Sequence, residues 1–180
     1  MPAEAALGVE GRARLRPAPL IVRRAVPGDA EALMRLGAAH AAFEGIALPM
    51  GRQAGAARRQ RLERALQQER LQAWLLWGPP PSLQPGHAAQ AQGYASLTLD
   101  FSTLAAERFA HLDCLYLEPA VRGQGWGQVL LQRASRHARA QGCRELQWQT
   151  PDWNEAAARF YRRQGAQELA KRRFILALPA

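Results

Sequence analysis

The chain has 180 residues, and 48% of them are hydrophobic. A chain of this length and composition can fold as one domain around its own core, without metals or disulfides. The formal net charge of +9 comes almost entirely from arginine, because Lys171 is the only lysine. Such a surface attracts phosphate groups, whether on a small molecule or on a nucleic acid. The apolar runs fall far short of the ~20 residues of a membrane-spanning helix, which argues against an integral membrane protein.

The first 19 residues differ from the rest of the chain in composition. They are rich in Ala, Arg and Pro and lack the apolar segment of a secretory signal, so residues 1–19 are expected to form a disordered leader. Residues 20–180 are expected to form a single domain. Cys114, Cys143 and the four histidines lack the spacing of metal ligands. We therefore expect no metal and, in a cytoplasmic protein, two free thiols.

Hydrophobic periodicity and turn residues predict a mixed α/β domain. It begins with a strand at 20–22, and Asp29 is the predicted N-cap of a helix that ends at 40–42. A second helix is predicted over 52–70, followed by a strand over 71–77 that ends at a run of prolines. The later predicted elements are strands over 93–99, 109–117, 145–149 and 174–178, and helices over 125–141 and 153–164. The early strands should pair antiparallel, and the later strand–helix–strand unit implies one parallel pair.

A glycine-rich turn joins the predicted strand at 109–117 to the helix after it. Its sequence is Arg122-Gly123-Gln124-Gly125-Trp126-Gly127. Free backbone N–H groups and a helix N-terminus at such a turn favour an anion such as phosphate. The dinucleotide fingerprint G-x-G-x-x-G is not met, because residue 128 is Gln, and the Gly-Lys pair of a Walker A loop is missing. The turn therefore predicts a phosphate site of another kind.

The turn and its surroundings resemble the GNAT acetyltransferases. The pattern R-x-x-G-x-G after an apolar strand, with an Asn-containing strand–helix unit about thirty residues later, is similar to the pyrophosphate loop of that family. The resemblance covers about 21–178. It implies a mixed, mostly antiparallel sheet with splayed central parallel strands, flanked by helices. It also implies acetyl-CoA as co-substrate and a homodimer.

The resemblance implies roles for individual residues. The glycine turn would wrap the pyrophosphate of CoA, and the end of the preceding strand would present backbone groups to the pantetheine amides. Tyr161, seven residues after Asn154 and on the same helical face, would protonate the departing CoA thiolate. The predicted cofactor-binding set is Leu115, Tyr116, Leu117, Arg122, Gly123, Gln124, Gly125, Trp126, Gly127, Gln128 and Asn154.

Within the family, the chain is most similar to the diamine and thialysine acetyltransferases and their bacterial relatives. The similarity is carried by Phe43-Glu44, Gly93-Tyr94-Ala95, Asp152-Trp153-Asn154 and Phe160-Tyr161-Arg162. It implies that Phe43, Glu44 and Asp113 contact the acceptor amine. The branch typically has Leu-Glu-Asp-Leu where this chain has Leu112-Asp113-Cys114-Leu115. One carboxylate is therefore shorter and one acid is lost, which disfavours a polyamine.

The predicted reaction is transfer of an acetyl group to a primary amine by direct attack in a ternary complex. The acceptor would be a small amine, a diamine or an amino-acid side chain, held near Asp113, Glu44 and Asp100. Asp113 or Glu44 would accept the amine proton through water, Tyr161 would act as the acid, and a backbone N–H near Leu115 would stabilise the oxyanion.

Two alternatives remain open. The first is an acetyltransferase whose acceptor is a protein or an RNA, docked on the arginine clusters at 58–61 and 133–139. The second is a CoA-binding module without catalysis, against which the Asn154–Tyr161 pair argues. The small-molecule amine is the primary prediction, with no nucleic-acid or membrane partner.

Overall fold

The computed structural model describes residues 19–49, 51–79 and 89–178. They form a five-stranded sheet in the order β1-β2-β3-β4-β5, with antiparallel pairing throughout except for the parallel β4–β5 pair. The strands are β1 (Ile21–Arg24), β2 (Gln72–Gly78), β3 (Gln90–Ser102), β4 (Glu107–Leu117) and β5 (Leu146–Gln147). The helices are α1 (Ala30–Glu44), α2 (Arg52–Gln67), α3 (Trp126–Ala140) and α4 (Glu155–Arg163). The predicted mixed sheet is confirmed. The predicted leader, except for Pro19, lies outside the described residues.

Two hydrophobic cores cover the two faces of the sheet. On one face, α1 and α2 pack Leu36 and Leu66 against Leu75. On the other face, α3 buries Leu130 and Ala134, together with Ala138 one turn further on. The spacing of four residues places these three side chains on one side of the helix, so the sequence of α3 specifies the face that it buries. Among the described residues, no helix is both long and apolar enough to cross a bilayer.

A β-bulge on β4 changes which side chains face which helices. Ser96 of β3 lies opposite Cys114, but the next residue, Leu97, lies opposite Leu112, so Asp113 is an extra residue without a partner on β3. Side chains alternate with a period of two, and one extra residue therefore inverts the alternation beyond it. Leu112 faces the α3 core, whereas Cys114 after the bulge packs against the α1 side.

The parallel strands pair over a very short length. Ala110 and His111 of β4 lie beside Leu146 and Gln147 of β5. In the described part of the chain, the rest of β4 has no strand on that side, which is the predicted splay. After His111, β4 therefore has no strand partner among the described residues on the side away from β3.

The start of the domain differs in detail from the prediction. α1 continues to Glu44, beyond the expected end at 40–42, and stops at Gly45, whose φ of 71° is left-handed. Asp29 precedes α1 as predicted, but its carboxylate does not cap the helix. It accepts two hydrogen bonds of 2.7 Å from Arg23 and one of 2.8 Å from the Val26 amide.

The predicted strand at 174–178 was wrong. In the described chain no strand follows α4, and Phe174, Ile175 and Leu176 are 86%, 85% and 83% exposed. An apolar run becomes a strand only where a neighbouring edge supplies backbone partners. β5 was predicted over 145–149 but has two residues, so it offers a very short edge.

Candidate active site

The glycine turn follows β4 and opens α3. Gly123 and Gly125 have φ values of 73° and 85°, a left-handed conformation in which an L side chain is strained. A Cβ at either position would meet no atom within 4 Å, so the space beside the turn is open. The first amides of α3 have no acceptor within the helix, and the helix dipole favours negative charge there. The turn therefore fits a phosphate group.

A third glycine sets how closely two helices approach. A Cβ on Gly127 would lie 3.4 Å from Cζ of Phe160 and 3.7 Å from Cδ1 of Leu117. The start of α3 thus packs directly on α4 and on the end of β4. This packing places the phosphate turn beside the helix that carries Tyr161.

Arg122 connects the turn with the predicted acceptor side. Its Nε donates a 2.9 Å hydrogen bond to the Leu117 carbonyl, one of the backbone groups predicted to bind pantetheine. Its guanidinium lies 5.0 Å from the centre of the Phe43 ring and 5.6 Å from that of Tyr116. The rings of Phe43 and Trp153 in turn pack edge to face, with their centres 5.5 Å apart. A positive charge therefore stands where the turn meets the end of α1.

Asn154 and Tyr161 lie two turns apart along α4. Asn154 is the N-cap, and its Oδ1 accepts a 3.2 Å hydrogen bond from the Ala157 amide. The side-chain oxygen of Asn154 is therefore used to cap the helix. The centre of the Tyr161 ring lies 4.9 Å from that of Trp148 and 5.2 Å from that of Phe160.

The environment of Tyr161 keeps its phenol protonated. Burial raises the pKa of Tyr161 to about 12, and the negative charge of Glu44 adds to the effect. Tyr161 packs against the same core as Leu115 of β4, and Phe43 near the end of α1 contacts Trp153 just before α4. The ends of α1, β4 and α4 therefore come together in this part of the molecule.

Two separate sets of hydrogen-bonded side chains lie on this side of the sheet. Nε2 of His40 lies 3.2 Å from Oε1 of Glu44, and Nδ1 of His40 lies 3.3 Å from the Tyr94 hydroxyl. The Cys114 thiol donates a 3.5 Å hydrogen bond to Oδ2 of Asp113, and Cys114 packs against the core that contains Tyr94. The interpretation of the sequence missed His40, Tyr94 and this contact of Cys114. The i, i+4 spacing of His40 and Glu44 on α1 was the available signal.

The side chains of Cys114 and Tyr94 are held neutral. Burial raises the pKa of the Cys114 thiol to about 12, with the Asp113 carboxylate as a further cause. Burial also raises the pKa of Tyr94 well above its ordinary value, helped by Cys114, Asp113 and Glu44. Both groups therefore keep their protons over the physiological pH range.

The structure corrects one predicted acceptor contact. Asp100 lies opposite Phe109, near the hairpin end of β3, and its carboxylate accepts a hydrogen bond from the Phe101 amide. It is four residues beyond Ser96, the residue that pairs with Cys114. Asp113 is exposed at the bulge, and Glu44 is half-buried beside His40. The site therefore offers two carboxylates rather than three. Among the described side chains, no three His, Cys, Asp or Glu residues converge as metal ligands.

Solved structures share the fold over most of the chain. A probable acetyltransferase superposes with a TM-score of 0.67 at 22% identity, covering 89% of this chain and 99% of that one. An integron cassette protein from the mobile metagenome of Cole Harbour Salt Marsh gives 0.66 at 26% identity, covering 88% and 91%. An aminoglycoside acetyltransferase from an uncultured soil metagenomic sample, in complex with trehalose, gives 0.65 at 17% identity, covering 88% and 97%.

Curated sequences give a shorter match. The thialysine N-epsilon-acetyltransferase of Bos taurus is 33% identical over 79 residues, which are 44% of this chain and 46% of that protein. The protein of the same name from Mus musculus is 32% identical over the same length. The chain thus matches about half the length of these relatives. The model of the Acetyltransferase (GNAT) family matches residues 55–166, which include β2 to α4 and the whole glycine turn. On these grounds the chain belongs to the GNAT family of acetyltransferases.

Proposed function

We propose that this protein transfers an acetyl group from acetyl-CoA to a primary amine, by direct attack in a ternary complex. The observation that carries the proposal is the convergence around Tyr161. Tyr161, whose phenol is protonated, packs on the core that includes the end of β4, and its neighbour Phe160 contacts the glycine turn that fits a phosphate. Phe43, next to Glu44 at the end of α1, contacts Trp153 just before the same helix.

The glycine turn, the end of β4 and the start of α4 would together hold acetyl-CoA. Residues 123–128 would hold the pyrophosphate through backbone N–H groups, and Arg122 would add positive charge. The backbone of Leu115, Tyr116 and Leu117 would pair with the pantetheine amides, as an added strand does at a sheet edge, and the Leu117 carbonyl would share its acceptor capacity with Arg122. Asn154 would contribute the part of its amide that does not cap α4. When bound, acetyl-CoA supplies a thioester, whose carbonyl is open to attack by an amine.

Tyr161 would act as the acid. A phenol with a pKa of about 12 gives its proton to a thiolate of ordinary pKa, about 8.5, only against a free-energy difference of about 5 kcal/mol. A free tyrosinate would therefore not persist. The proton that leaves the amine nitrogen as the amide forms must replace the one that Tyr161 gives up.

The acceptor would be an amine with one ammonium group at the site. Asp113 and Glu44 would attract it locally, against the repulsion from a net charge of +9. Two carboxylates suit a small amine, a diamine or an amino-acid side chain better than spermine. The guanidinium of Arg122 over Phe43 would attract the carboxylate of an amino acid such as lysine or thialysine. Thialysine is the acceptor in the name of the two curated relatives.

An amine panel tests the proposal. Purified protein with acetyl-CoA is presented with thialysine, lysine, a diamine, spermine and an N-terminal peptide, and thiol release is measured. We expect thialysine or lysine to give the highest kcat/KM. The highest value for spermine would refute the acceptor assignment, and no release with any amine would refute the function.

The variant Tyr161→Phe tests the assignment of the acid. It keeps the packing on Trp148 and removes only the hydroxyl, so turnover should fall on the order of 10²–10⁴-fold while CoA still raises the melting temperature. Turnover equal to that of the parent would show that the sulfur takes its proton from another source.

A protein or RNA acceptor remains the second candidate, and the arrangement of the arginine clusters weighs against it. The cluster at 58–61 lies on α2 and that at 133–139 on α3, and these helices cover opposite faces of the sheet. The two clusters therefore do not form one docking surface. A non-catalytic CoA-binding module is the third candidate, and the amine panel separates it from the first.

The proposal includes a homodimer and a cytoplasmic location. The exposed apolar run from Phe174 to Leu178 would be covered in a dimer, which sedimentation of the full chain would detect. Cys114 and Cys143 are both free thiols, which suits a reducing compartment.

A further inference from the structure

The last residue of α1 is a carboxylate at a place that a helix disfavours. Glu44 ends the helix, and the C-terminal end of a helix carries partial negative charge, which repels an acidic side chain. The last turn of α1 contains no lysine or arginine to compensate. One turn earlier lies His40, whose Nε2 is 3.2 Å from Oε1 of Glu44. The carboxylate is therefore retained against the helix dipole by an imidazole, which indicates a use outside the helix.

The contacts of His40 determine which ring nitrogen carries its proton. A carboxylate only accepts, so Nε2, the nitrogen beside Glu44, is the donor. In the neutral imidazole Nδ1 is then an acceptor, and it lies 3.3 Å from the hydroxyl of Tyr94. Tyr94 is 5% exposed, and burial raises the pKa of its phenol well above the ordinary value, so this hydroxyl keeps its proton and donates to Nδ1.

Aromatic contacts hold the His40 ring in one orientation. Tyr116 of β4 stacks on the imidazole, with ring centres 5.2 Å apart and an angle of 27° between the planes. Tyr94 of β3 meets the imidazole edge to face, with ring centres 6.2 Å apart. The side chain of His40 is 15% exposed, so the ring cannot turn toward solvent without losing these contacts. Two strands of the sheet thus set the direction of the Nε2 proton.

We propose that His40 is a positioning residue that holds the carboxylate of Glu44 ready for the acceptor ammonium, and that Tyr94 fixes the imidazole tautomer this requires. The inference rests on the proposed function, in which Glu44 contacts the amine. In the described part of the chain, Oε1 is the only oxygen of Glu44 with a hydrogen-bond partner, so Oε2 is available to the amine. His40 and Tyr94 act through Glu44 and touch neither the amine nor acetyl-CoA.

The neighbours of Glu44 place it on the acceptor side of the site. Phe43, the preceding residue, packs on Trp153 just before α4 and lies beside the guanidinium of Arg122. A Cβ on Gly45, the following residue, would meet no atom within 4 Å, so the space beside the end of α1 is open. An amine that enters there would meet a carboxylate whose rotamer is already chosen. Such preorganisation improves affinity, because less side-chain freedom is lost on binding.

An imidazole positions Glu44 without taking its charge. In its neutral form His40 donates one hydrogen bond to the carboxylate and adds no positive charge. A lysine or arginine at this position would form an ion pair and compete with the ammonium of the acceptor. The full charge of Glu44 matters here, because the amine approaches a chain whose net charge is +9.

Variants at position 40 separate the donor to Glu44 from the packing of the ring. His40→Gln places an amide N–H near the position of Nε2, so it keeps the donor to Glu44. His40→Asn reaches only as far as Nδ1, so it loses that donor. His40→Phe keeps the stacking on Tyr116 and loses both hydrogen bonds. His111→Phe is the matched control, since this histidine lies on β4 beside β5.

The kinetic test measures kcat and KM at pH 8 for acetyl-CoA and for the best amine of the panel. We expect His40→Phe and His40→Asn to raise the amine KM on the order of 10-fold, as for a lost hydrogen bond to a charged group. Their kcat and their KM for acetyl-CoA should change little, which a general loss of structure would not produce. His40→Gln and His111→Phe should stay within a few-fold of the parent. The melting shift with CoA shows that each variant is folded.

A double-mutant cycle tests whether His40 acts through Glu44. Glu44→Ala removes the carboxylate and should itself raise the amine KM. Adding His40→Phe to Glu44→Ala should cause no further rise, because the group that His40 positions is already lost. Rises in KM that simply multiply would refute the positioning role, since His40 would then act by another route.

Nuclear magnetic resonance gives a readout that does not depend on turnover. The ¹⁵N chemical shifts of an imidazole distinguish the Nε2–H tautomer from the Nδ1–H tautomer, and His40→Phe identifies the His40 signals among those of the four histidines. At pH 8 we expect the Nε2–H tautomer in the parent and a mixture of both tautomers in Tyr94→Phe. An Nδ1–H tautomer in the parent would rule out the arrangement proposed for His40.

Failure of this inference is distinguishable from failure of the proposed function. In a parent that acetylates amines, an unchanged amine KM for His40→Phe, or a His40→Gln variant as weak as His40→Phe, would overturn the role of His40 and leave the function standing. A Glu44→Ala variant with the amine KM of the parent would refute the contact on which the inference depends. A parent that acetylates no amine would refute the proposed function, and the role of His40 with it.

Discussion

A substitution of Gly93 tests how closely β3 and β4 approach at the site. Gly93 is buried on β3 opposite Leu117, and a Cβ there would lie 2.9 Å from the Tyr116 carbonyl oxygen and still closer to Cδ2 of Leu117. The carbonyl belongs to the backbone, so it yields only if β4 moves. Overpacking of this kind costs about 1–3 kcal/mol of unfolding free energy. At about 2–4 °C per kcal/mol, Gly93→Ala should lower Tm by about 2–12 °C.

The same change at another glycine should have the opposite effect. Gly55 lies inside α2, and a Cβ there would meet no atom within 4 Å. Gly55→Ala should therefore stabilise the protein by about 0.5–1 kcal/mol, through the higher helix propensity of alanine. Thermal melts and urea unfolding of both variants measure the difference.

The assay also has a functional readout. The backbone of Tyr116 and Leu117 is proposed to bind pantetheine, so a displaced β4 should reduce the melting shift that CoA produces. A Gly93→Ala variant that melts at or above the parent, alongside a stabilised Gly55→Ala, would refute the close approach of the two strands.

Three further predictions follow from single contacts. Gly125→Glu should abolish the melting shift with CoA through repulsion of pyrophosphate and strain at a φ of 85°, and Gly125→Gln, which lacks the charge, should retain more of it. His137 packs on Trp74, its Nε2 is buried without a partner among the described residues, and burial lowers its pKa. The unfolded chain takes up this proton more readily, so stability should fall as pH drops below about 6.5, and His137→Phe should flatten that dependence in melts from pH 7 to 5. The hydrogen bonds from Arg23 lower the pKa of Asp29, so this pair contributes stability above about pH 3.9 that is lost as pH falls further. Asp29→Asn should lower the free energy of unfolding by about 1.5–3 kcal/mol at pH 7 and should weaken its pH dependence below pH 4, as measured by urea titrations. An Asp29→Asn variant whose stability falls below pH 4 as steeply as that of the parent would contradict this.

The fold was predictable wherever a pattern is local. The period of four in α3 specified its buried face, and the R-x-x-G-x-G turn was placed correctly between β4 and α3. Both depend on side-chain spacing and backbone freedom within one element. The strand predicted at 174–178 failed because a strand depends on a partner edge, and no local pattern reports the length of β5.

In the candidate site, too, residues placed by local patterns were predictable and contacts between distant segments were not. Tyr161, Asn154 and the glycine turn were found from the sequence, because their spacing along the chain encodes their placement. His40 and Tyr94 were not, because they are 54 residues apart and meet only when α1 packs on β3. Cys114 was predicted as a free thiol, and its place on the α1 side of the sheet depends on the bulge.

The sequence by itself determined the fold class, the family and the position of the phosphate turn, since these are carried by periodicity and by glycines whose backbone conformation few other residues adopt. Only the tertiary structure decided which side of β4 each side chain faces, because one unpaired residue at Asp113 inverts the alternation after it. It also decided that Asp100 lies far along β3 from Cys114 and that Tyr94 meets His40. Register and packing between distant segments set these distances, and neither is encoded in the local order of residues.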